Sequence, residues 1–148
     1  MSILPIGTLV TNSTALALCD TFGLDYISQR IRDHPHVYRP WIFDGVSGIP
    51  DWIFNFFGDR EAVTSRCALV HDLAYAYGEL GDSEERKNAD RIFYHNLIKI
   101  GKVNPLIAKL CYLAVRVGGH QEYGFSFTWG FADTRIKRIS DRPLPWTY

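Results

Sequence analysis

The sequence has little of what would staple, anchor or charge a small protein. Three cysteines occur, Cys19, Cys67 and Cys111, an odd count with no C-x-x-C spacing. That pattern argues against a disulfide framework and excludes a zinc knuckle or a thioredoxin-type motif, and a reducing compartment is the default. Neither sign of charge is in excess: Lys+Arg is 16 and Asp+Glu is 16. No nucleic-acid partner is expected from such a balance. No apolar run approaches the roughly 18 residues that read as a membrane span. The opening Met1–Gly7 carries no basic n-region, so no signal peptide is expected. Internal repeats and low-complexity tracts are absent as well.

What is present reads as one globular domain over residues 1–148. Hydrophobic residues make up 47%, charged residues 22% and aromatics 14%, values typical of a chain with a packed core. Thr14 to Ile31 has room for one or two short helices. Asp33 to Pro40 is interrupted by Pro35 and Pro40 and is expected to be extended or turn. Trp41–Pro50 reads as a short strand running into a Gly/Pro loop, and Asp51–Phe57 as a short helix capped by Asp51. Three stronger helices follow. The first spans about Glu61 to Tyr77. The second starts at Asp82 or Ser83, where Asp82 and Glu85 form a capping-box pattern, and its stripe is Ala89, Ile92, Phe93, Leu97 and Ile100. The third has Asn104 as N-cap and Pro105 at its first position, runs through Leu106, Leu110, Leu113 and Val117, and stops at Gly118-Gly119. In the C-terminal segment 120–148, Tyr123 to Phe131 alternates aromatics with small residues, the period of a strand with one aromatic face. That face reads as a lid over the core rather than as a lipid contact. The expected fold class is mainly α (α+β): a helical hairpin, a third packing helix and short flanking β strands.

Chemistry concentrates in Cys67–Tyr75. His71 and Asp72 are adjacent and therefore project about 100° apart on a helix, too far to pair with each other. Tyr75 lies one turn later. The next helix offers the partner: His71 is seven residues before Gly78 and Asp90 is seven after Ser83, so an antiparallel hairpin sets them at one level. A carboxylate on one imidazole nitrogen leaves the other as a general base. Asp72 then points elsewhere, towards the Asp44–Pro50 loop if that loop packs on the helix. A carboxylate with carbonyls from a Gly-rich loop makes an oxygen site for calcium. Arg116 sits in a largely apolar helix and, with Arg86 and Arg91, is a candidate partner for Asp44, Asp72 or Asp90. Cys67 and Cys111 read as buried hydrophobes, His95 as a solvated side chain, and His120 as a helix-terminal group.

His71-Asp72-x-x-Tyr75 resembles the H-D-x-x-Y of secreted and parvovirus-capsid phospholipases A2, and Ala89-Asp90 resembles the Ala-Asp pair that recurs on the next helix of the viral form. A closer resemblance is to a phage- and prophage-borne family of small domains. Its pattern is met here by Phe43-Asp44-Gly45-Val46-Ser47-Gly48-Ile49-Pro50, His71–Tyr75, Ala89-Asp90-Arg91-Ile92-Phe93 and Tyr112–Gly118. This motif core covers about residues 38–119. The phospholipase resemblance implies His71 as the base that activates water, Asp90 orienting it, and Tyr75 supporting the pair. It implies a calcium ion held by Asp72 with the loop around Asp44, Gly45 and Gly48, and a phospholipid or membrane surface as partner. The phage resemblance implies the cytoplasm of a bacterial host, or a virion or secreted setting without a classical signal. The disulfides of the secreted enzymes are missing here, and Asp44-Gly45-x-x-Gly48 stands where they have Y-x-G-x-G. Two alternatives stand beside the hydrolase: a non-catalytic phage-associated structural or assembly domain with a buried His–Asp network, and a metal-dependent phosphohydrolase using His34, His36, His71 and Asp72 with Asp133 as a distal carboxylate.

Overall fold

The computed structural model describes residues 4–45, 51–123 and 127–136. Its element order is β1 (Leu9–Val10), α1 (Asn12–Phe22), α2 (Asp25–Asp33), β2 (Trp41–Ile42), α3 (Asp51–Phe54) and α4 (Arg60–Ala62). A π-helical stretch, Val63–Ala68, then leads into α5 (Leu69–Ala76), followed by α6 (Ser83–Lys99), α7 (Pro105–Gly118) and a 3-10 turn, Gln121–Tyr123. The architecture is mainly α, with one two-stranded antiparallel sheet that pairs Leu9 with Ile42 and Val10 with Trp41.

The caps explain where the helices begin. Thr11 caps α1 by accepting from Thr14 N–H, Asp82 caps α6 by accepting from Glu85 N–H, and Asn104 caps α7 by accepting from Leu106 N–H. The capping box at α6 is only half formed. The Glu85 carboxylate turns to Arg30 of α2 instead, accepting two hydrogen bonds at 3.0 and 2.7 Å. A bidentate pair to a guanidinium outcompetes a reciprocal bond to one backbone N–H. Glu61 to Tyr77 forms one rod, as expected, but its middle is π-helical, for which the sequence carries no signal.

Two apolar clusters meet along this rod. One gathers Val10, Ile27, Ile31, Trp41, Phe43, Leu69, Leu73 and Trp129. The other gathers Ile53, Phe57, Val63, Cys67, Phe93, Leu97, Ile107 and Cys111. All three cysteines are free and buried, and burial pushes the Cys67 and Cys111 thiols up to about 11. Against α5 and α7, α6 turns Arg86, Ala89, Asp90, Phe93 and Leu97. Ile92 and Ile100, expected in its stripe, lie at the edge of that surface and are exposed.

The leucines that mark α7 in the sequence do not face the core. Ile107, Ala108 and Cys111 are buried, whereas Leu106, Leu110, Leu113 and Val117 face outward. Both sets have helical spacing, and the side packed on α6 takes the smaller residues, which let the helices approach.

Tyr123 to Phe131 does not form the expected strand among its described residues. After the 3-10 turn, residues 127–136 run as successive turns across the end of α5. Gly130 N–H donates to Tyr75 O (2.7 Å) and Ala132 N–H to Ala76 O (3.2 Å). Here the aromatics do close the core: Trp129 and Phe131 are buried, and Trp129 Nε1 donates to Glu79 O at 2.7 Å. Trp129 packs closely enough on Gly78 that an added Cβ there would clash with its ring. Among the described residues the C-terminal flank contributes an isolated bridge, Asp133 with Tyr38.

Candidate active site

The turn between α5 and α6 brings His71 and Asp90 together. His71 Nε2 and Asp90 Oδ1 are 2.8 Å apart. Tyr75, one turn after His71, donates its hydroxyl to the same oxygen at 2.7 Å. The other carboxylate oxygen, Oδ2, accepts from Arg116 of α7 at 2.7 Å and lies 3.7 Å from Arg86. Asp90 is completely buried. Burial alone would raise its pKa, but the hydrogen bonds from His71, Tyr75 and Arg116 outweigh burial and hold it below the ordinary carboxylate value. Tyr75 moves the other way: burial, then the Asp90 charge, push its phenol far up, so it stays a donor.

This arrangement assigns the imidazole tautomer. An ionised carboxylate accepts only, so Nε2 carries the hydrogen, and in the neutral ring Nδ1 is the nitrogen with the lone pair. No described residue hydrogen-bonds Nδ1. The ring is held between Phe93, stacked at 4.5 Å, and Tyr75 at 4.3 Å. His71 is 8% exposed and lines a narrow groove of about 80 Å³. Leu24, Tyr26, Val70, Ala74, Ile92 and Phe93 make the groove apolar, and Asn88 and Asn96 supply polar groups.

Two arginines hold the carboxylate in place. Besides its approach to Asp90, Arg86 donates to the Tyr75 hydroxyl (3.2 Å), to Val115 O (3.2 Å) and to Arg116 O (3.1 Å). The last two are carbonyls at the C-terminal end of α7, where a cation is favoured. Gly119 completes the enclosure, since an added Cβ would stand 2.6 Å from the Tyr75 hydroxyl. Arg116 was legible as an ion-pair candidate. The several bonds of Arg86 and the close approach of Gly119 were not, because both depend on how α7 crosses α6.

Asp72 lies on the far flank of His71 from the groove residues Val70 and Ala74, about 100° round the helix. It is half-buried. Burial, and then the charge of Asp44, hold its carboxyl well above the ordinary value. The two carboxylates expected to share a cation are therefore near enough to repel each other. Gly45 follows at φ 82°, with an added Cβ 3.3 Å from Ile6 and 3.4 Å from Thr64 of the α5 rod. That conformation suits glycine alone. Gly48 and the rest of Val46–Pro50 lie outside the described residues. Among the described residues no group of three or more His, Cys, Asp and Glu converges as a metal site. His34 and His36 are exposed, and Asp133 is paired with Arg135 at 2.7 Å.

A family model described as a protein of unknown function, DUF1353, matches residues 23–115. The chain belongs to this family. No curated protein and no solved structure matches it. The DUF1353 region contains Asp44, His71, Asp72, Tyr75, Arg86 and Asp90 and stops one residue short of Arg116. No helix among the described residues is long and apolar enough to cross a membrane.

Proposed function

We propose that this DUF1353 protein is a hydrolase of lipid esters resembling phospholipase A2, with His71 as general base. The observation that carries the reading is the His71–Asp90 pair at 2.8 Å, which leaves Nδ1 as the basic nitrogen. In this reading Nδ1 takes the proton of a water as it attacks the ester. Asp90 offsets the positive charge that then forms on the ring, and Tyr75, Arg86 and Arg116 keep Asp90 from turning away. The apolar walls of the groove suit a hydrocarbon chain.

Asp72 and Asp44 fit a calcium ion in chemistry: both are hard oxygen donors, and burial together with the charge of Asp44 disfavours the ionised form of Asp72, which a cation would offset. When bound, calcium supplies polarisation of the ester carbonyl and stabilisation of the oxyanion.

A second reading is favoured by the burial of Asp90 and by its ties to α5, α6 and α7. In that reading His71, Asp90 and the arginines form a polar network that specifies how three helices pack, without chemistry. The placement of the groove and Asp72 on opposite flanks of His71 also leans that way.

The experiment compares wild type, His71→Ala and Asp72→Asn for fatty-acid release from mixed phospholipid micelles, with calcium and with chelator, alongside thermal melting. The hydrolase reading expects calcium-dependent release that both variants lose. Absence of release from wild type, with a large fall in melting for His71→Ala, would overturn it in favour of the network.

A further inference from the structure

We infer that the outer face of α7, together with α3, is a docking surface for an anionic lipid bilayer. The inference does not depend on catalysis. Leu106, Leu110, Leu113 and Val117 recur at helical spacing, and the two ends of the stripe are the most open, at 69% and 71% exposed. A solvent-facing helix normally carries its polar residues there. Here the apolar stripe is the outward one, while the inward side is already packed on α6.

The segment around α3 packs near the start of α7: Ile53 and Phe57 share a core cluster with Ile107 and Ala108. The chain after α3 returns against the start of α7, with Asp59 N–H donating to Gly101 O at 3.2 Å and Gly58 against Lys102 O. From α3 and the turn after it, Trp52 and Phe56 protrude, each 56% exposed and packed edge to face. Exposed Trp and Phe beside an apolar stripe are what a headgroup–acyl boundary accommodates.

Charge selects the occupant. From Arg91 to Gln121 the chain has no acidic residue, and it carries Arg91, Lys99, Lys102, Lys109 and Arg116. Arg116 is spent on Asp90, but Lys99, Lys102 and Lys109 are exposed. Lys109 lies over the rings of Tyr112 and Tyr94, at 4.8 and 5.8 Å, and Asp59 is occupied in capping α4. Asp51, Asp59 and Glu61 lie in or beside α3 and α4, so the cationic excess belongs to α7 and the turn that precedes it. A negatively charged, apolar-cored surface matches both features, whereas a second copy of the same face would set lysine against lysine.

The test is co-sedimentation of the full chain with vesicles of equal parts phosphatidylcholine and phosphatidylglycerol, with chelator present so that no calcium-dependent hydrolysis intervenes. Phosphatidylcholine vesicles and added salt serve as comparisons. Wild type is expected to bind the anionic vesicles, and salt is expected to weaken binding. The double variant Leu106→Ser/Val117→Ser should bind about a hundredfold more weakly, because each of the two lost side chains is worth about a factor of ten when buried. Lys102→Glu/Lys109→Glu should lose the preference for the anionic lipid. All these side chains face solvent, so melting should be unchanged. No vesicle binding by wild type, or binding that both double variants retain, would overturn the proposal. So would a concentration-dependent dimer that Leu106→Ser/Val117→Ser dissociates, since the face would then belong to a second copy. Because binding is read with chelator, failure here is distinct from failure of the hydrolase reading.

Discussion

Asp90 on α6 and Asp72 on α5 stand on either side of one histidine, and their surroundings are opposite. Asp90 accepts from His71, Tyr75 and Arg116 and is held ionised in the complete absence of solvent. Asp72 has no donor among the described residues and faces the like charge of Asp44. Satisfied carboxylates hold helices together, and frustrated ones cost stability until something cationic arrives. The difference separates a part of the site that the fold needs from a part that the fold tolerates.

The largest expected effect breaks the satisfied side. Asp90→Asn should cost about 3–5 kcal/mol in urea unfolding, since Arg86 and Arg116 would be left as uncompensated cations. A cost below about 1 kcal/mol would mean that the arginines find other partners and that the network is not what joins α5, α6 and α7. Next comes Tyr75→Phe. Losing the hydroxyl removes one donor to Asp90 and one acceptor of Arg86, at a cost of about 1–3 kcal/mol by the same measurement.

The frustrated side predicts the reverse sign. Asp72→Asn should melt at a higher temperature than wild type at neutral pH. Calcium at millimolar levels should raise wild-type melting and leave Asp72→Asn unmoved. If calcium stabilises neither protein, the two carboxylates are not a cation site.

The smallest effect sharpens the comparison through pH. A lowered folded-state pKa at Asp90 means that the unfolded chain binds more protons near pH 4, so its stabilisation is present above about pH 4 and lost as pH falls through the lowered value. At Asp72 the raised pKa means that the folded state binds more protons. Its penalty is absent below about pH 4 and grows as pH rises towards the folded value. Melting curves of Asp90→Asn should therefore lose the acid-side slope, and those of Asp72→Asn should gain stability over wild type on the alkaline side of that range. Parallel curves for all three proteins would remove the electrostatic distinction between the two sites.

Much of the site was legible before any coordinates. Asn104-Pro105 and Asp82 marked helix starts because caps are local chemistry. The pairing of His71 with Asp90 followed from equal distances to one short turn, which is geometry within a hairpin. The orientation of α7 was not legible. Leu106, Leu110, Leu113 and Val117 have the same period as Ile107, Ala108 and Cys111, and periodicity states that a helix has two sides without saying which one faces a neighbour. The aromatic alternation from Tyr123 to Phe131 misled for a related reason. Trp129 and Phe131 are placed by the end of α5, through Gly130 and Ala132 bonding to its last carbonyls, and not by pairing with another strand.

The helix starts at Asp82 and Asn104 and the shared level of His71 and Asp90 follow from amino-acid order alone, because each depends on residues within a turn or a hairpin of one another. Long-range packing sets the rest: Arg86 and Arg116 close on Asp90, Asp44 confronts Asp72, and α7 turns its larger residues to solvent. Those outcomes depend on the crossing of α7 over α6 and on Asp44 and Gly45, just after β2, lying against the rod that carries α5. Such long-range contacts are chosen by the packing of whole surfaces, which no local pattern encodes.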